Sequence, residues 1–125
     1  MMLPQEPEDW PSLFARNLNA GDLEAVTALY EPDARIVARS GETVVGRDRI
    51  RDVLAELIRS KTRLQSRVIK AIAVDETALL YTDFQGTTVD ASGETIEIRY
   101  KAIEVLRRQP DRAWKLVVGD PGGRE

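Results

Sequence analysis

Carboxyl and phenol groups are the side chains with which this sequence could transfer protons. The chain contains no cysteine and no histidine, which excludes disulfides, thiolate nucleophiles, cysteine–zinc sites and serine triads that depend on a histidine base. Any proton transfer must therefore use aspartate, glutamate, tyrosine or lysine. The sequence predicts neither a metal site nor a bound cofactor.

The clearest candidate carboxyl group belongs to Glu104, which lies in the alternating stretch IEIRYKAIEVL, residues 96–106. Successive residues of a β-strand point to opposite faces of the sheet. One alternate set is mainly apolar and predicts the inner face, whereas the other set is charged. The inner set consists of Ile96, Ile98, Tyr100, Ala102, Glu104 and Leu106. A carboxyl group enclosed among apolar side chains loses hydration, so its pKa should rise and it can act as an acid near neutral pH.

Periodicity along the chain predicts the elements that position this group. Apolar residues at helical spacing predict a helix near Trp10, a second helix that Asp22 caps and Pro32 ends, and a third helix in RDRIRDVLAELIRSK. A short strand pair in ARIVARSGETVV comes before the third helix. Short connections then require antiparallel neighbours among four later strands. These strands are Thr62–Val74, Thr77–Val89, Glu94–Arg108 and the segment AWKLVVGD.

This element order predicts one α+β domain over residues 1–125. Its three N-terminal helices should pack on one face of a curved, mainly antiparallel sheet. The ordered core is expected over about residues 8–121.

The turn QPDR and the strand after it decide where a second carboxyl group, that of Asp120, points. QPDR is typical of a type I turn followed by a left-handed residue at Arg112, which costs about 1–2 kcal/mol for a residue other than glycine. If this turn pairs Gln109 with Ala113, one alternate set of the last strand shares the face of Glu104. That set is Trp114, Leu116, Val118 and Asp120. The proline and glycines that follow end the strand by themselves, so the Asp120 carboxylate is free to line a pocket mouth.

Composition and charge restrict the classes of partner. A chain of 125 residues, of which 42% are hydrophobic, can bury one core. The formal net charge of −3 does not favour nucleic-acid binding, which calls for a basic face. No window approaches the roughly 18 apolar residues of a membrane span, and there is no signal-peptide pattern. We therefore predict a cytoplasmic protein that binds neither nucleic acid nor membrane.

The phrase LNAGDLEAVTALYEPDARIV, residues 18–37, and the order of the elements resemble the nuclear transport factor 2-like superfamily. That superfamily includes the ketosteroid isomerases, the SnoaL-type polyketide cyclases and limonene epoxide hydrolase. The tail EVLRRQPDRAWKLVVGDPGG is similar to a narrower group of small bacterial proteins, and departs from it at Arg112 and at Gly119-Asp120. The resemblance implies a cone-shaped, cystatin-like fold whose mouth accepts a small, often apolar molecule. It also implies a homodimer through the outer sheet face.

A residue-by-residue comparison with these families excludes the ketosteroid isomerase mechanism and matches the epoxide hydrolase pattern only in part. The oxyanion tyrosine of the isomerases falls on Phe14 and their general-base aspartate on Ala38, so steroid isomerisation by that route is rejected. Their protonated acid falls on Glu104. The epoxide hydrolase pattern matches an aspartate at Asp83, but Tyr81 stands where that pattern has an arginine.

The orientation of two strands stays open at this point. The isomerase register turns Tyr81 and Asp83 inward, whereas the opposite parity places Asp83 on the outer face and removes it from the site. The inner residues would then be Leu80, Thr82 and Phe84. The last strand has a similar ambiguity, since an ungapped isomerase register places Val117 and Gly119 inside.

We predict a pocket for a small, largely apolar molecule, with Glu104 and Asp83 as candidate catalytic groups. Proton transfer by such groups typically contributes about 10²–10⁴-fold in rate. Two functions stay open: a lyase, isomerase or hydrolase that uses carboxylate–tyrosine acid–base chemistry, and a non-catalytic module for ligand binding or protein association. The remaining pocket residues are expected to be Phe14, Tyr30, Ala38, Tyr81, Tyr100, Ala102, Val118 and Asp120.

Overall fold

The computed structural model describes residues 1–125 as three helices and one six-stranded sheet. The helices are α1 (Asp9–Asn19), α2 (Leu23–Thr27) and α3 (Arg47–Arg59). The strands are β1 (Tyr30–Val37), β2 (Thr43–Val45), β3 (Arg63–Val74), β4 (Thr77–Val89), β5 (Thr95–Arg108) and β6 (Trp114–Asp120). Their order across the sheet is β2-β1-β6-β5-β4-β3, and all neighbours are antiparallel except the parallel pair β1–β6. The predicted α+β class and the four-stranded meander β3–β6 are confirmed.

The N-terminal helices follow their predicted cap residues with one exception. α1 ends before Gly21, which has a left-handed φ of 71°, and the Asp22 side chain caps α2 by accepting a hydrogen bond from a first-turn N–H at 3.1 Å. The predicted continuation of α2 to Pro32 is wrong. The helix ends at Thr27, because from Tyr30 onward the backbone pairs with β6 in the sheet. None of the three helices has the length and apolar character needed to cross a bilayer.

The helices cover one face of the sheet, called the inner face below, and the core lies between them and this face. The helices contribute Trp10, Leu13, Leu18, Ile50 and Leu54 to it. β4 contributes Ala78, Leu80, Thr82 and Phe84, so its parity is opposite to the isomerase register. This orientation buries the large apolar side chains Leu80 and Phe84 and leaves the polar Asp83 and Gln85 on the outer face.

The turn between β5 and β6 has the predicted conformation. The N–H of Gln109 donates to the carbonyl oxygen of Ala113 at 2.8 Å, and Arg112 has a left-handed φ of 75°. The Asp111 side chain accepts a hydrogen bond from the N–H of Ala113 at 3.0 Å. This turn therefore sets the register in which β6 begins.

Segments at both ends of the chain also contact the fold. Pro4 is buried, and its carbonyl oxygen accepts a hydrogen bond from the N–H of Trp114 at 2.9 Å. Beyond β6, the N–H of Arg124 donates to the carbonyl oxygen of Lys101 at 3.1 Å. The chain after β6 thus follows β5 a little further, along the outer face of the sheet.

Candidate functional site

Glu104 lies in the middle of the sheet on the inner face, the side that strand alternation predicts. Only 4% of its surface is exposed. Its Oε1 atom accepts a hydrogen bond from the hydroxyl group of Thr82 at 2.7 Å. Leu80 on β4 and Gly119 on β6 are its direct cross-strand partners. The carboxyl group is therefore held by one hydrogen bond, with no charged group beside it on the inner face of either neighbouring strand.

These surroundings raise the pKa of the Glu104 carboxyl group to about 7, from an ordinary value of 4.5. Burial is the main cause, because the ionised form loses its hydration. The hydrogen bond from Thr82 and the positive charge of Arg124 lower the pKa and offset part of this effect. A carboxyl group with such a pKa populates both its neutral and its ionised form near neutral pH.

Tyr30 supplies a hydroxyl group on the same side of the sheet. Burial, together with the charge of Glu104, raises the pKa of Tyr30 well above its ordinary value, so this side chain stays protonated. Neither the Tyr30 hydroxyl nor Oε2 of Glu104 makes a hydrogen bond within the chain. Thr27 Oγ1 is the one fully enclosed side-chain oxygen or nitrogen atom without a partner. The two unpaired atoms of Tyr30 and Glu104 therefore border space that a water molecule can reach.

Five aromatic rings form a continuous cluster that includes Tyr30. The Trp10 ring stacks on Phe14 at a centroid distance of 5.2 Å and meets Tyr30 edge-on at 5.6 Å. Phe14 also meets Phe84 at 5.8 Å, and Phe84 lies 6.1 Å from Tyr100. Phe14 and Tyr100 are only half-buried, so the cluster opens toward solvent on their side. An apolar group that reached this open side would meet ring edges and faces, the contacts that favour flat apolar groups.

The structure brings five predicted pocket residues to the inner side of the sheet. Ala102 is buried on β5 between Tyr100 and Glu104, and burial raises the pKa of Tyr100. Ala38 follows β1 and packs, half-buried, against the core. The five residues are Phe14, Tyr30, Ala38, Tyr100 and Ala102.

The predicted inward orientation of Asp83 and Tyr81 is wrong, because β4 has the other parity. Asp83 lies on the outer face and accepts a hydrogen bond from the guanidinium group of Arg124 at 2.5 Å. Two cations lie near the ring of Tyr81, with Lys70 Nζ at 5.5 Å and the Arg124 guanidinium carbon at 5.1 Å from its centroid. The sheet therefore separates both side chains from Glu104.

A β-bulge in β6 places Val118 and Asp120 on the outer face, contrary to the prediction. Leu116 keeps the predicted inner orientation. Val117 is then an extra residue relative to β5, so the alternation reverses after it. Val118 is 40% exposed, and Gly119 takes the inner position instead. At this point the ungapped alternative register is the correct one.

The residues predicted for the site do not include Thr82 or Phe84, although the alternative orientation of β4 places both side chains on the inner face. The signal that could have placed them inside is the run of Ala78, Leu80, Thr82 and Phe84 at alternate positions, which contains no charge. No three carboxylates lie close enough together to hold a metal ion.

Comparison with known proteins identifies the relatives of this chain. The model of the SnoaL-like domain family matches residues 12–115. Among the curated proteins searched, no sequence matches. Many solved structures do match, and three of them illustrate the range of descriptions that these relatives carry.

A ketosteroid isomerase-like protein from Erwinia carotovora atroseptica aligns with a TM-score of 0.80 and 18% identity, over 90% of this chain and 89% of that one. An uncharacterised protein with a cystatin-like fold from Caulobacter vibrioides aligns with a TM-score of 0.76 and 15% identity, over 90% and 83%. A candidate dehydratase of the nuclear transport factor 2-like family from Streptomyces avermitilis aligns with a TM-score of 0.71 and 19% identity, over 90% of each chain. At these identities the likeness concerns the fold.

Proposed function

Because the chain belongs to the SnoaL-like domain family of the nuclear transport factor 2-like superfamily, we propose that its inner sheet face binds a small, largely apolar molecule and that Glu104 exchanges a proton with it. One observation carries this proposal. Oε2 of the buried Glu104 and the hydroxyl group of Tyr30 both lack a partner and both border accessible space. Buried polar groups are normally hydrogen-bonded, so these two groups are expected to find partners in water or in a ligand that displaces it.

The two groups suit the removal of a proton from a carbon atom next to a carbonyl group. The Glu104 carboxylate would take the proton, and the electrons of the C–H bond would form the double bond of an enolate. The enolate oxygen would accept a hydrogen bond from the Tyr30 hydroxyl, which stays protonated at neutral pH. In a β,γ-unsaturated ketone, return of the proton from Glu104 to the γ carbon completes an isomerisation. In a β-hydroxy ketone, the same proton goes to the β-hydroxyl group, the C–O bond breaks, and water leaves in a dehydration.

Two solved relatives carry names that refer to these two reaction classes. The pKa of Glu104 near 7 supports the same proposal, because a base of this pKa is partly ionised near neutral pH and can release its proton again. A general acid–base group of this kind contributes about 10²–10⁴-fold to a rate. The substrate class proposed is therefore a small apolar ketone or hydroxy ketone.

A non-catalytic binding module is the second candidate function. The observation that favours it is the presence of Phe14 and Ala38 at the positions that resemble the oxyanion tyrosine and the general base of the isomerases. In such a module, Glu104 and Tyr30 would only hydrogen-bond the ligand.

Deuterium exchange tests the proposal and separates the two candidates across a whole substrate class rather than for one chosen compound. A library of small ketones and hydroxy ketones is incubated with the protein in deuterated water, and the mass of each compound is then measured by mass spectrometry. We expect protein-dependent deuterium uptake into at least one compound, and its loss in Glu104→Gln. Glu97→Gln, an exposed carboxyl on the same strand, serves as the matched control and should keep the uptake.

Ligand-observed NMR on the same library gives the second readout. If compounds bind the wild type and Glu104→Gln equally and take up no deuterium, Glu104 is not a catalytic group. The non-catalytic binding module is then the candidate that remains. A library in which no member binds would overturn the pocket itself.

We further propose that two copies of the chain pair through the outer sheet face. Four apolar residues face each other in successive cross-strand pairs and form one row there: Ile72, Leu79, Val105 and Val118. The two ends of this row are 54% and 40% exposed. Sedimentation equilibrium should give a dimer for the wild type. Val118→Lys should shift the equilibrium toward the monomer, whereas Ser12→Lys, at an exposed position of α1, should not. A monomeric wild type would refute the pairing.

A further inference from the structure

We propose that the outer face of β3, β4 and β5 carries a second binding site, for a small organic anion with carboxylate or phosphate groups. This site lies on the face of the sheet opposite to Glu104, although Phe84 and Tyr100 of the aromatic cluster also border it. It is a cleft of about 440 Å³ at the end of the sheet away from the apolar row. The outward-pointing residues of its lining are Gln65, Arg67, Asp83, Gln85, Arg99 and Lys101.

The first argument is an excess of positive charge without internal partners. The five ion pairs of the structure include none of Arg67, Arg99 and Lys101. The one acid of the lining, Asp83, is bound by Arg124, which adds a further positive charge beside the cleft. This concentration of cations occurs in a chain whose net charge is −3. A bound anion could therefore form ion pairs with three cationic side chains that form none within the chain.

The second argument is the order in which the strand register places these groups. Arg67, Asp83 and Lys101 form one cross-strand row, and Gln65, Gln85 and Arg99 form the adjacent row. Neighbouring strands are about 4.8 Å apart and alternate residues along a strand about 6.6 Å apart. The three cationic residues therefore stand at three corners of an area about 10 Å by 7 Å, with Gln65 at the fourth corner and Asp83 between Arg67 and Lys101. This spacing matches an anion with two or three charged groups.

The third argument is the type of donor at each position. Guanidinium groups bind the paired oxygens of carboxylates and phosphates through two parallel hydrogen bonds, and lysine adds a mobile point charge. The side-chain amides of Gln65 and Gln85 lie 3.5 Å apart within the cleft and supply neutral donors and acceptors between the cations. The cleft continues past Gln85 into a neighbouring depression of about 530 Å³, which is also lined by Arg63 and Glu97. A ligand longer than a single phosphate therefore has room.

Backbone-amide NMR titration tests the site, with pyrophosphate and citrate as separate probes at constant ionic strength. We expect saturable chemical-shift changes at residues 65–67, 83–85 and 99–101 with a dissociation constant below about 1 mM. The double variant Arg67→Gln/Arg99→Gln should bind at least about tenfold more weakly, because it loses the charge-assisted hydrogen bonds of both guanidinium groups. The probe that saturates at the lower concentration identifies phosphate or carboxylate as the preferred group.

A charge-matched control is Arg16→Gln/Arg51→Gln, which removes two exposed arginines from the helices and should bind like the wild type. Lys101→Gln gives an independent variant should the first double variant fold poorly. The proposal would be overturned if the chemical-shift changes do not saturate, or if both double variants bind the probes equally weakly. It would also be overturned if a single-stranded oligonucleotide binds more tightly than either probe. Glu104→Gln should retain anion binding, so failure of the inner-face function leaves this test intact.

Discussion

Replacing Glu104 by glutamine keeps the shape of the buried side chain and removes its charge, so the variant isolates the cost of ionising this carboxyl group inside the fold. In the unfolded chain the group titrates near its ordinary pKa of 4.5, and in the folded chain its pKa is about 7. Below the lower value both states are protonated, and Glu104 does not change stability with pH. As the pH rises between the two values, the unfolded chain releases the proton while the folded chain keeps it, so the free energy of unfolding falls.

The size of this loss follows from the difference between the two pKa values. At about 1.4 kcal/mol for each pKa unit, the wild type loses about 3 kcal/mol by the time the pH exceeds the folded value of about 7. Glu104→Gln has no titrating group here and should not show this loss. The stability of the variant minus that of the wild type should therefore increase by about 3 kcal/mol from about pH 4.5 to about pH 8.5.

Urea unfolding followed by tryptophan fluorescence measures this difference, since Trp10 and Trp114 are both buried. One protein concentration is kept throughout, because a dimer would add a concentration-dependent term. Groups that titrate in both proteins contribute equally to the two free energies of unfolding, so their contributions cancel in the difference. Glu97→Gln tests whether loss of an exposed carboxyl group on β5 changes the pH dependence of stability in the same way. A difference that stays constant within about 0.5 kcal/mol over this pH range would refute the reasoning.

Three further predictions concern other parts of the fold. Thr82→Val removes the hydrogen bond to Glu104 and should raise the pKa of that carboxyl group further, as carboxyl-carbon NMR titration can show; an unchanged or lower pKa would contradict the role of this bond. Arg112→Gly should stabilise the chain by about 1 kcal/mol in urea unfolding, because glycine adopts the left-handed φ of 75° without strain, whereas Arg112→Ala should give no gain. Gly86→Ala should cost about 3 kcal/mol or more, since its Cβ would lie 1.8 Å from the Arg63 carbonyl oxygen, and thermal unfolding close to that of the wild type would disprove this clash.

The orientation of Glu104 could be predicted from sequence because one alternate set of β5 is mainly apolar and the other is charged. β4 does not offer this contrast, since Leu79 and Tyr81 on its outer set are nearly as apolar as Leu80 and Phe84 on its inner set. The resemblance to the isomerases then led to the wrong parity, and with it Asp83 was assigned to the inner face.

The last strand shows a different limit of sequence reasoning. The turn QPDR and the register at Gln109 were predicted correctly, and Leu116 faces inward as that register requires. The bulge at Val117 has no local signature, because it arises where β6 pairs with β5 on one side and with β1 on the other. One extra residue was enough to move Asp120 to the outer face.

By itself, the sequence determined the α+β class, the order of the elements and the inner orientation of Glu104, and it excluded thiol and imidazole chemistry. These features depend on residue types and on alternation within single segments. Tertiary structure decided which carboxyl groups share a face, that Arg124 binds Asp83 on the outer side, and how far burial raises the pKa of Glu104. Such properties depend on pairing between strands and on how much water the whole fold excludes, and no single segment contains that information.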